Sequence, residues 1–278
     1  MSFLVLLLAV VIEKFSALRQ RVQRDAPWLN QLNRLESNPR TARRPWWILI
    51  LTVVLPLVIL ALVLTIVGSV AYGWVVLPIH LLVLIYSLGR GDVKATLGSF
   101  RDACRRGDQE AAVLVAERDL GVQAEDEEQL LGGAHTYLLW QVYQGFFAVI
   151  FWYFVLGPVA ALAYRLLALA SEHGKTPALV ERATQARHAF DWVPVRLLAA
   201  SFALVGNFVA VSRVMLSELL NWNISASRLI SRVGCVAGEV PAPVVGVEGV
   251  NSLDVLWELL IRSAIVWYVG FALITLFV

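Results

Sequence analysis

A stretch of 43 residues without a charged side chain, Trp46 to Leu88, limits what this chain can fold into. Because a helix needs about 20 apolar residues to cross the hydrocarbon core of a bilayer, the stretch is long enough for two crossings. The uncharged residues Gly68 to Ala71 separate two apolar runs and predict a tight turn. Trp46 and Trp47 open the first run, as indoles at a membrane interface do. The stretch therefore predicts a transmembrane helical hairpin.

The whole chain has the composition of a helical membrane protein. Of its 278 residues, 59% are hydrophobic and 16% are charged, against about 45–50% and about 25% in globular domains. These values exclude a freely soluble enzyme, a disordered chain and a collagen-like fibre. Lys and Arg number 23 against 21 Asp and Glu, and this near balance predicts no nucleic-acid partner. The expected fold class is all-α, a polytopic helical membrane protein with a helical cytoplasmic insert.

The distribution of charge orients the predicted spans within a single membrane domain, residues 1–278. Residues 13–45 carry eight Lys and Arg, residues 89–135 carry six, and the turn inside the hairpin carries none. Both flanks of the hairpin are therefore expected on the cytoplasmic side. The predicted spans are 2–16, 46–67, 72–88, 136–156, 197–211 and 259–278. Two points stay open: whether 136–156 continues as a kinked helix or turns back at Gly157-Pro158 up to residue 170, and whether 197–211 spans or lies at the interface.

Residues 89–135 predict a small helical insert that has no core of its own. Its apolar residues recur on one face of a helix: Val93, Leu97, Phe100 and Cys104. Asp108 is a good N-cap for a second helix, which Gly121 ends, and the acidic patch 125–128 is expected to begin a third. A solvated helix start explains that patch better than a cation site does.

The chemistry available to the chain lies in polar residues inside its apolar runs. These are Glu13, His80, Gln141, Gln144, Arg165 and Asn207. They either line a pocket open to the cytoplasm or hydrogen-bond between helices, with Arg165 reaching to the headgroups. The common phosphate-loop, nucleophile-elbow and zinc motifs are absent, and the four histidines lie far apart. We therefore predict no catalytic residue, no metal site and no cofactor.

Three segments of the chain resemble the AmpE family of membrane proteins, which is related to the CobD/CbiB proteins of cobalamin biosynthesis. They are Gly157-Pro-Val-Ala-Ala-Leu-Ala-Tyr-Arg165, Asp191-Trp-Val-Pro-Val-Arg-Leu197, and the insert from Cys104-Arg-Arg-Gly-Asp108 through Glu117-Arg-Asp119. The order and spacing of these segments agree with the family up to about residue 212. The segment that begins at Asp191 is the most specific of the three.

The resemblance implies a regulatory or sensory protein of β-lactamase induction, in the setting of cell-wall recycling, in the bacterial cytoplasmic (inner) membrane. The implied partners are the lipid bilayer and either an anionic ligand derived from the cell wall or a cytoplasmic protein. The resemblance also adds three residues to the candidates for ligand binding. The full set is Glu13, Gln141, Gln144, Tyr164, Arg165, Asp191 and Arg196.

The CobD/CbiB-like enzymes, which use ATP to form an amide bond, carry carboxylates that this chain lacks. Gln141 and Gln144 stand where those enzymes have an acidic element, and Ala168-Leu-Ala-Ser171 replaces their Asn-Thr-x-Asp. Neutral side chains neither hold Mg²⁺ nor accept protons as carboxylates do. The resemblance therefore implies the enzyme's scaffold without its metal-binding chemistry. The alternatives are a ligase or transferase of this type with a membrane-proximal substrate and, with least support, a transporter.

Overall fold

The computed structural model of the protein describes residues 5–8, 23, 25–38, 41, 44–70, 76–89, 92–240 and 245–277. The described residues form helices and their connections without a β-strand, so the predicted all-α class is confirmed. The labelled helices are α1 (Ala26–Ser37), α2 (Pro45–Leu49, a π-helical turn Ile50–Val54, and Leu55–Val70), α3 (Val76–Ser87), α4 (Val93–Thr96), α5 (Gly98–Arg105), α6 (Gln109–Val115 with a π-helical turn Ala116–Leu120), α7 (Glu127–Val142, a π-helical turn Tyr143–Phe147, and Ala148–Leu156), α8 (Pro158–His173), α9 (Pro177–Val205), α10 (Phe208–Glu218), α11 (Ala226–Ala237) and α12 (Val247–Phe277).

Four helices among the described residues are long and apolar enough to cross a membrane. They are Pro45–Gly68 in α2, Glu127–Leu156 (α7), Pro177–Val205 (α9) and Val247–Phe277 (α12). The apolar helix α3 is shorter, and the predicted span 2–16 lies largely outside the described residues. The four long helices indicate a membrane protein, whereas the individual crossings stay predictions.

Two of the predicted apolar runs are each divided between two helices. The run after residue 136 forms two helices, because α7 ends at Leu156 and α8 begins at Pro158. The run 197–211 is also divided, which corrects the expectation of one element there: α9 ends at Val205, and Asn207 caps α10 by accepting the N–H of Ala210 at 3.0 Å. A side-chain cap at Asn207 replaces the backbone bond that a continuous helix would make.

The backbone forms two compact units, which comprise Met1–Leu88 with Ala148–Asp191, and Gly89–Phe147 with Trp192–Val278. In the first unit, α8 packs against α3 and against the last part of α7. The core of this unit is formed by Trp28, Leu32, Ile48, Leu49, Val53, Leu166, Leu167, Leu169, Ala170, Leu179 and Ala183. The single membrane domain inferred from the sequence stays a prediction.

In the second unit, the helical insert packs on α12. The predicted face of the insert is buried at Leu97, Phe100 and Cys104, and Asp108 caps α6 as expected. Arg101 makes two hydrogen bonds to the carboxylate of Asp254, at 2.6 and 2.8 Å, which fasten α5 to α12. The insert is thus packed on a neighbouring helix, and its lack of a separate core stays a prediction.

A tryptophan from another helix compensates for each of two prolines inside helices. Pro56 has no N–H to give to the carbonyl of Thr52, four residues before it, and the indole N–H of Trp28 donates to that carbonyl at 2.9 Å. Pro194 has the same effect on the carbonyl of Phe190, which accepts the indole N–H of Trp152 at 3.3 Å. Each indole thus supplies a donor to the carbonyl four residues before a proline.

Replacing Trp28 with phenylalanine is expected to lower the free energy of unfolding by about 2 kcal/mol, because the buried Thr52 carbonyl loses its donor. Thermal unfolding of the purified protein in detergent, followed by circular dichroism, measures the change. Pro56→Ala restores a backbone N–H at the right position, so the double variant should recover part of the loss. If Trp28→Phe and the double variant lose the same free energy of unfolding, the loss comes from altered packing and not from the missing hydrogen bond.

Candidate functional site

Tyr164 anchors a cluster of polar side chains in the first unit, which we call the Tyr164 cluster: Tyr164, Ser171, Glu172, Arg187 and Asp191. Tyr164, Arg187 and Asp191 are buried, Ser171 is partly buried, and Glu172 is exposed. The Tyr164 hydroxyl donates to Oδ1 of Asp191 at 2.9 Å, and both residues are buried. Alanines on the buried face of α8, Ala160, Ala161, Ala163, Ala168 and Ala170, leave room for neighbouring helices to approach. This pairing brings together two of the residues predicted from the sequence.

Arg187 completes the Tyr164 cluster from one turn before Asp191 on α9. Its Nη1 donates to Ser171 Oγ at 3.1 Å and to Glu172 Oε1 at 3.2 Å, and its Nε lies 3.7 Å from Asp191 Oδ2. The guanidinium also lies over the Tyr164 ring, 5.9 Å from its centroid. Arg187 and Asp191 are four residues apart on α9, a spacing that allows an ion pair along one helix face. One cation faces two carboxylates. This pairing offsets the desolvation penalty of the buried Arg187 and Asp191 side chains.

Arg165 belongs to a second cluster on another face of α8, the Arg165 cluster: Asp25, Tyr86 and Arg165. Nη2 of Arg165 donates to Asp25 Oδ2 at 3.3 Å, and the Tyr86 hydroxyl donates to Asp25 Oδ1 at 3.2 Å. Asp25 precedes α1, and its carboxylate makes these contacts instead of capping that helix. Within the part of the chain that the structure describes, the buried Nε of Arg165 has no hydrogen-bond acceptor. The guanidinium therefore retains a donor that an additional acceptor would satisfy.

Three predicted candidates lie in the second unit, where their side chains hydrogen-bond to other protein groups: Gln141, Gln144 and Arg196. Gln144 Nε2 donates to Gln141 Oε1 at 2.8 Å, as expected for residues that share one face of α7. Arg196 is buried and donates to the backbone carbonyls of Leu219, Trp192 and Asn221, the last two at 2.9 and 2.8 Å. Its guanidinium also lies 4.3 Å from the ring centroid of Trp192. Arg196 thus connects α9 to the residues that follow α10. Binding of a ligand by Arg196 stays a prediction.

The structure adds members that sequence reasoning missed, namely Asp25, Tyr86, Ser171 and Glu172. Asp25 lies in a basic, polar segment, where nothing in the sequence marks it for burial. Glu13, by contrast, lies outside the described residues. For Arg187 the i, i+4 spacing with Asp191 was a usable signal, although it predicted only an ion pair.

The insert has one further charged pair at positions that match the resemblance. Arg118 Nε and Nη2 donate to the two carboxylate oxygens of Asp119, each at 2.7 Å, on the protein surface. The hydrogen bond from Arg118 is the main reason that the pKa of Asp119 lies below its ordinary value. Across the described ranges, no group of three or more His, Cys, Asp and Glu side chains is arranged to hold a metal ion.

The fold and these clusters define an all-α helical membrane protein with buried, paired charges between its helices. The chain belongs to the AmpE family, because the family model described as "Regulatory signalling modulator protein AmpE" matches residues 1–235. It is also similar to Protein AmpE of Shigella flexneri, at 28% identity over 169 residues, or 56% of this chain and 60% of that protein. The alignment thus spans less than two thirds of this relative. No solved structure shows a significant match.

Proposed function

We propose that this protein is a non-catalytic regulator of β-lactamase induction that crosses the bacterial inner membrane several times and binds a ligand or a partner protein at its cytoplasmic face. Membership in a family of regulatory signalling modulators supports the regulatory part. The basic segments on both sides of the Trp46 to Leu88 hairpin support the topology. The proposal includes a CobD/CbiB-like scaffold and an anionic ligand derived from cell-wall recycling.

The observation that carries the ligand site is the buried Nε–H of Arg165 without an acceptor among the described residues. A cation between apolar helices is costly and tends to have a function. An anionic group that accepted this N–H would form a charge-assisted hydrogen bond, which is stronger than a neutral one. Glu13, Gln141, Gln144, Tyr164, Asp191 and Arg196 remain further candidates for ligand contacts.

The Arg165 cluster also offers a way to convert binding into a structural change. Asp25 links α8, through Arg165, to the start of α1 and, through Tyr86, to α3. An incoming anion would compete with Asp25 for the guanidinium and weaken that link. A ligand shifts a conformational equilibrium only through such a difference in its contacts between two states. The regulatory signal would then be a loosening of α1 and α3 relative to α8 within the first unit.

We expect deletion of the gene to change the curve of β-lactamase activity against inducer concentration, and Arg165→Gln to reproduce the deletion. Glutamine removes the charge and the Nε–H while it keeps a polar side chain. The measurement is β-lactamase activity in the deletion strain carrying the wild-type gene, Arg165→Gln or Arg182→Gln, with protein abundance in the membrane determined by immunoblotting. Arg182 is the matched control because it is an exposed arginine on α9 of the same unit.

The outcomes separate the regulatory role from the site. An induction curve that the deletion leaves unchanged would contradict the regulatory proposal. A changed curve that Arg165→Gln restores as fully as the wild type would refute the Arg165 site alone. Nucleotide-dependent turnover by the purified wild-type protein would contradict the non-catalytic part and favour the ligase.

A further inference from the structure

The short helix α10 and the turn after it expose a continuous apolar face. Its members are Phe208, Val209, Leu216, Leu219 and Leu220. With 100° of rotation per residue, these positions fall within about one third of the helix circumference. Leu216 is 78% exposed and Leu220 is 82% exposed. Such a concentration of large exposed apolar side chains marks an interaction surface.

The other side of α10 is held against the protein. Val211 is buried, and α10 packs against α11. Glu218 accepts a hydrogen bond from Nη1 of Arg232 at 3.1 Å, which adds an ion pair between the two helices. Arg196 of α9 donates to the carbonyls of Leu219 and Asn221, so the end of α10 is fixed to α9 as well. The apolar face is therefore presented outward by a helix with a defined orientation.

The length of α10 excludes a crossing of the bilayer. Its 11 residues extend about 16 Å at 1.5 Å per residue, roughly half of the ~30 Å hydrocarbon core. A short helix with one exposed apolar face is suited to lie in the plane of the interface. Exposed Arg213 borders the apolar face, and Trp222, which is half exposed, follows the helix. Arginine and tryptophan are the residues that favour the headgroup region.

The helix that precedes α10 in the chain is a candidate membrane-spanning helix, and it also exposes apolar side chains. Within the second unit, α9 exposes Val193, Leu197 and Leu204, of which Leu204 is 69% exposed. These positions are four and seven residues apart and therefore lie on one side of the helix. Only Gly206 and Asn207 separate the end of α9 from Phe208. An exposed apolar side of a candidate span therefore lies immediately before α10 in the chain.

We propose that α10 is an interfacial helix, whose apolar face inserts into the headgroup and upper acyl region of the bilayer, with Arg213 and Trp222 at the level of the headgroups. The lipid surface is the occupant because α10 directly follows a candidate membrane-spanning helix with an exposed apolar side, and because residues typical of the interface border its own apolar face. This placement is independent of the ligand site proposed at Arg165. It assigns α10 to the membrane boundary rather than to solvent.

Nitroxide accessibility in the full-length protein tests this placement. Cysteines introduced by Val209→Cys and Leu216→Cys report the apolar face. Ser217→Cys, one residue further along the helix, is the matched control, because Ser217 is exposed on the polar flank beside Arg213. Native cysteines are first replaced by Cys104→Ala and Cys235→Ala. The labelled proteins are reconstituted in phosphatidylcholine and phosphatidylglycerol vesicles, and depth is calibrated with spin-labelled phospholipids.

We expect labels at residues 209 and 216 to collide with oxygen several-fold more often than with a nickel chelate, at a depth near the headgroups, and the label at 217 to show the reverse. Nickel access at 216 equal to that at 217 would place the face in water and overturn the proposal. Low access to both reagents at 209 and 216 would mean that protein covers the face, which also overturns it. Labels at 209 and 216 that lie near the bilayer centre would also overturn the proposal, because they would show that α10 is fully inserted.

Discussion

Replacing Arg187 with methionine is expected to lower the free energy of unfolding by about 3–5 kcal/mol, the cost of removing one partner from a buried ion pair. The change takes away the guanidinium that Asp191 and Glu172 both face. Methionine retains much of the aliphatic side chain, so the loss reports charge more than packing. Thermal unfolding of the purified protein in detergent, monitored by circular dichroism, provides the measurement.

Two further variants define the reason for this loss. Arg182→Met changes an exposed arginine on the same helix and should alter stability by less than about 0.5 kcal/mol. Arg187→Met combined with Asp191→Leu leaves one buried charge fewer than Arg187→Met alone, and should recover part of the stability. An Arg187→Met protein that melts like the wild type would contradict the account of the Tyr164 cluster as a mutually dependent set of charges.

Replacing Gly89 with alanine is expected to lower the free energy of unfolding by about 3 kcal/mol, the upper part of the usual range for overpacking. A Cβ at this position would lie 2.6 Å from Cα of Gly145, and backbone cannot move aside as a flexible side chain can. The Gly89 N–H also donates to the Gly145 carbonyl at 2.7 Å, so separation of the two segments would break a hydrogen bond. The same unfolding measurement applies.

The control for Gly89 is Gly132, a glycine inside α7 with open space around its Cα. A Cβ added there meets no atom within 4 Å, so Gly132→Ala should raise stability by up to about 1 kcal/mol through helix propensity alone. Opposite signs for the two substitutions would confirm that the close contact with Gly145 determines the effect at Gly89. Similar small gains at both positions would refute the close contact.

Much of the local structure was predictable because its signals lie within a few residues. Asp108 and Asp126 cap the helices that follow them, and the buried face of the insert follows the helical period. The division at Asn207 was less evident, since an apolar run on either side obscured a residue whose cap bond reaches only to Ala210. Whether a residue such as Asn207 caps a new helix or continues the previous one depends on its tertiary contacts. Here the Asn207 N–H donates to the carbonyl of Ala237 in α11, a contact that the sequence does not indicate.

The candidate site was predictable only in part. Arg165 was identified as a charged residue inside an apolar run, and Tyr164 and Asp191 were identified through the resemblance. The sequence did not indicate that Tyr164 and Arg165, although adjacent, belong to different clusters. Successive residues on a helix point about 100° apart, so each meets a different neighbouring helix. Asp25, which pairs with Arg165 across 140 positions of the sequence, lacks any local signal of that role.

The sequence by itself indicated a membrane protein, the all-α class and the helix starts at Asp108 and Asp126, because these depend on composition, on the spacing of apolar residues and on caps within one turn. Only the tertiary structure decided which buried charges meet. It also decided that Trp28 donates to the carbonyl of Thr52, four residues before Pro56. The physical reason is that such contacts join residues far apart in the chain, and they depend on how closely and at what angle the helices pack.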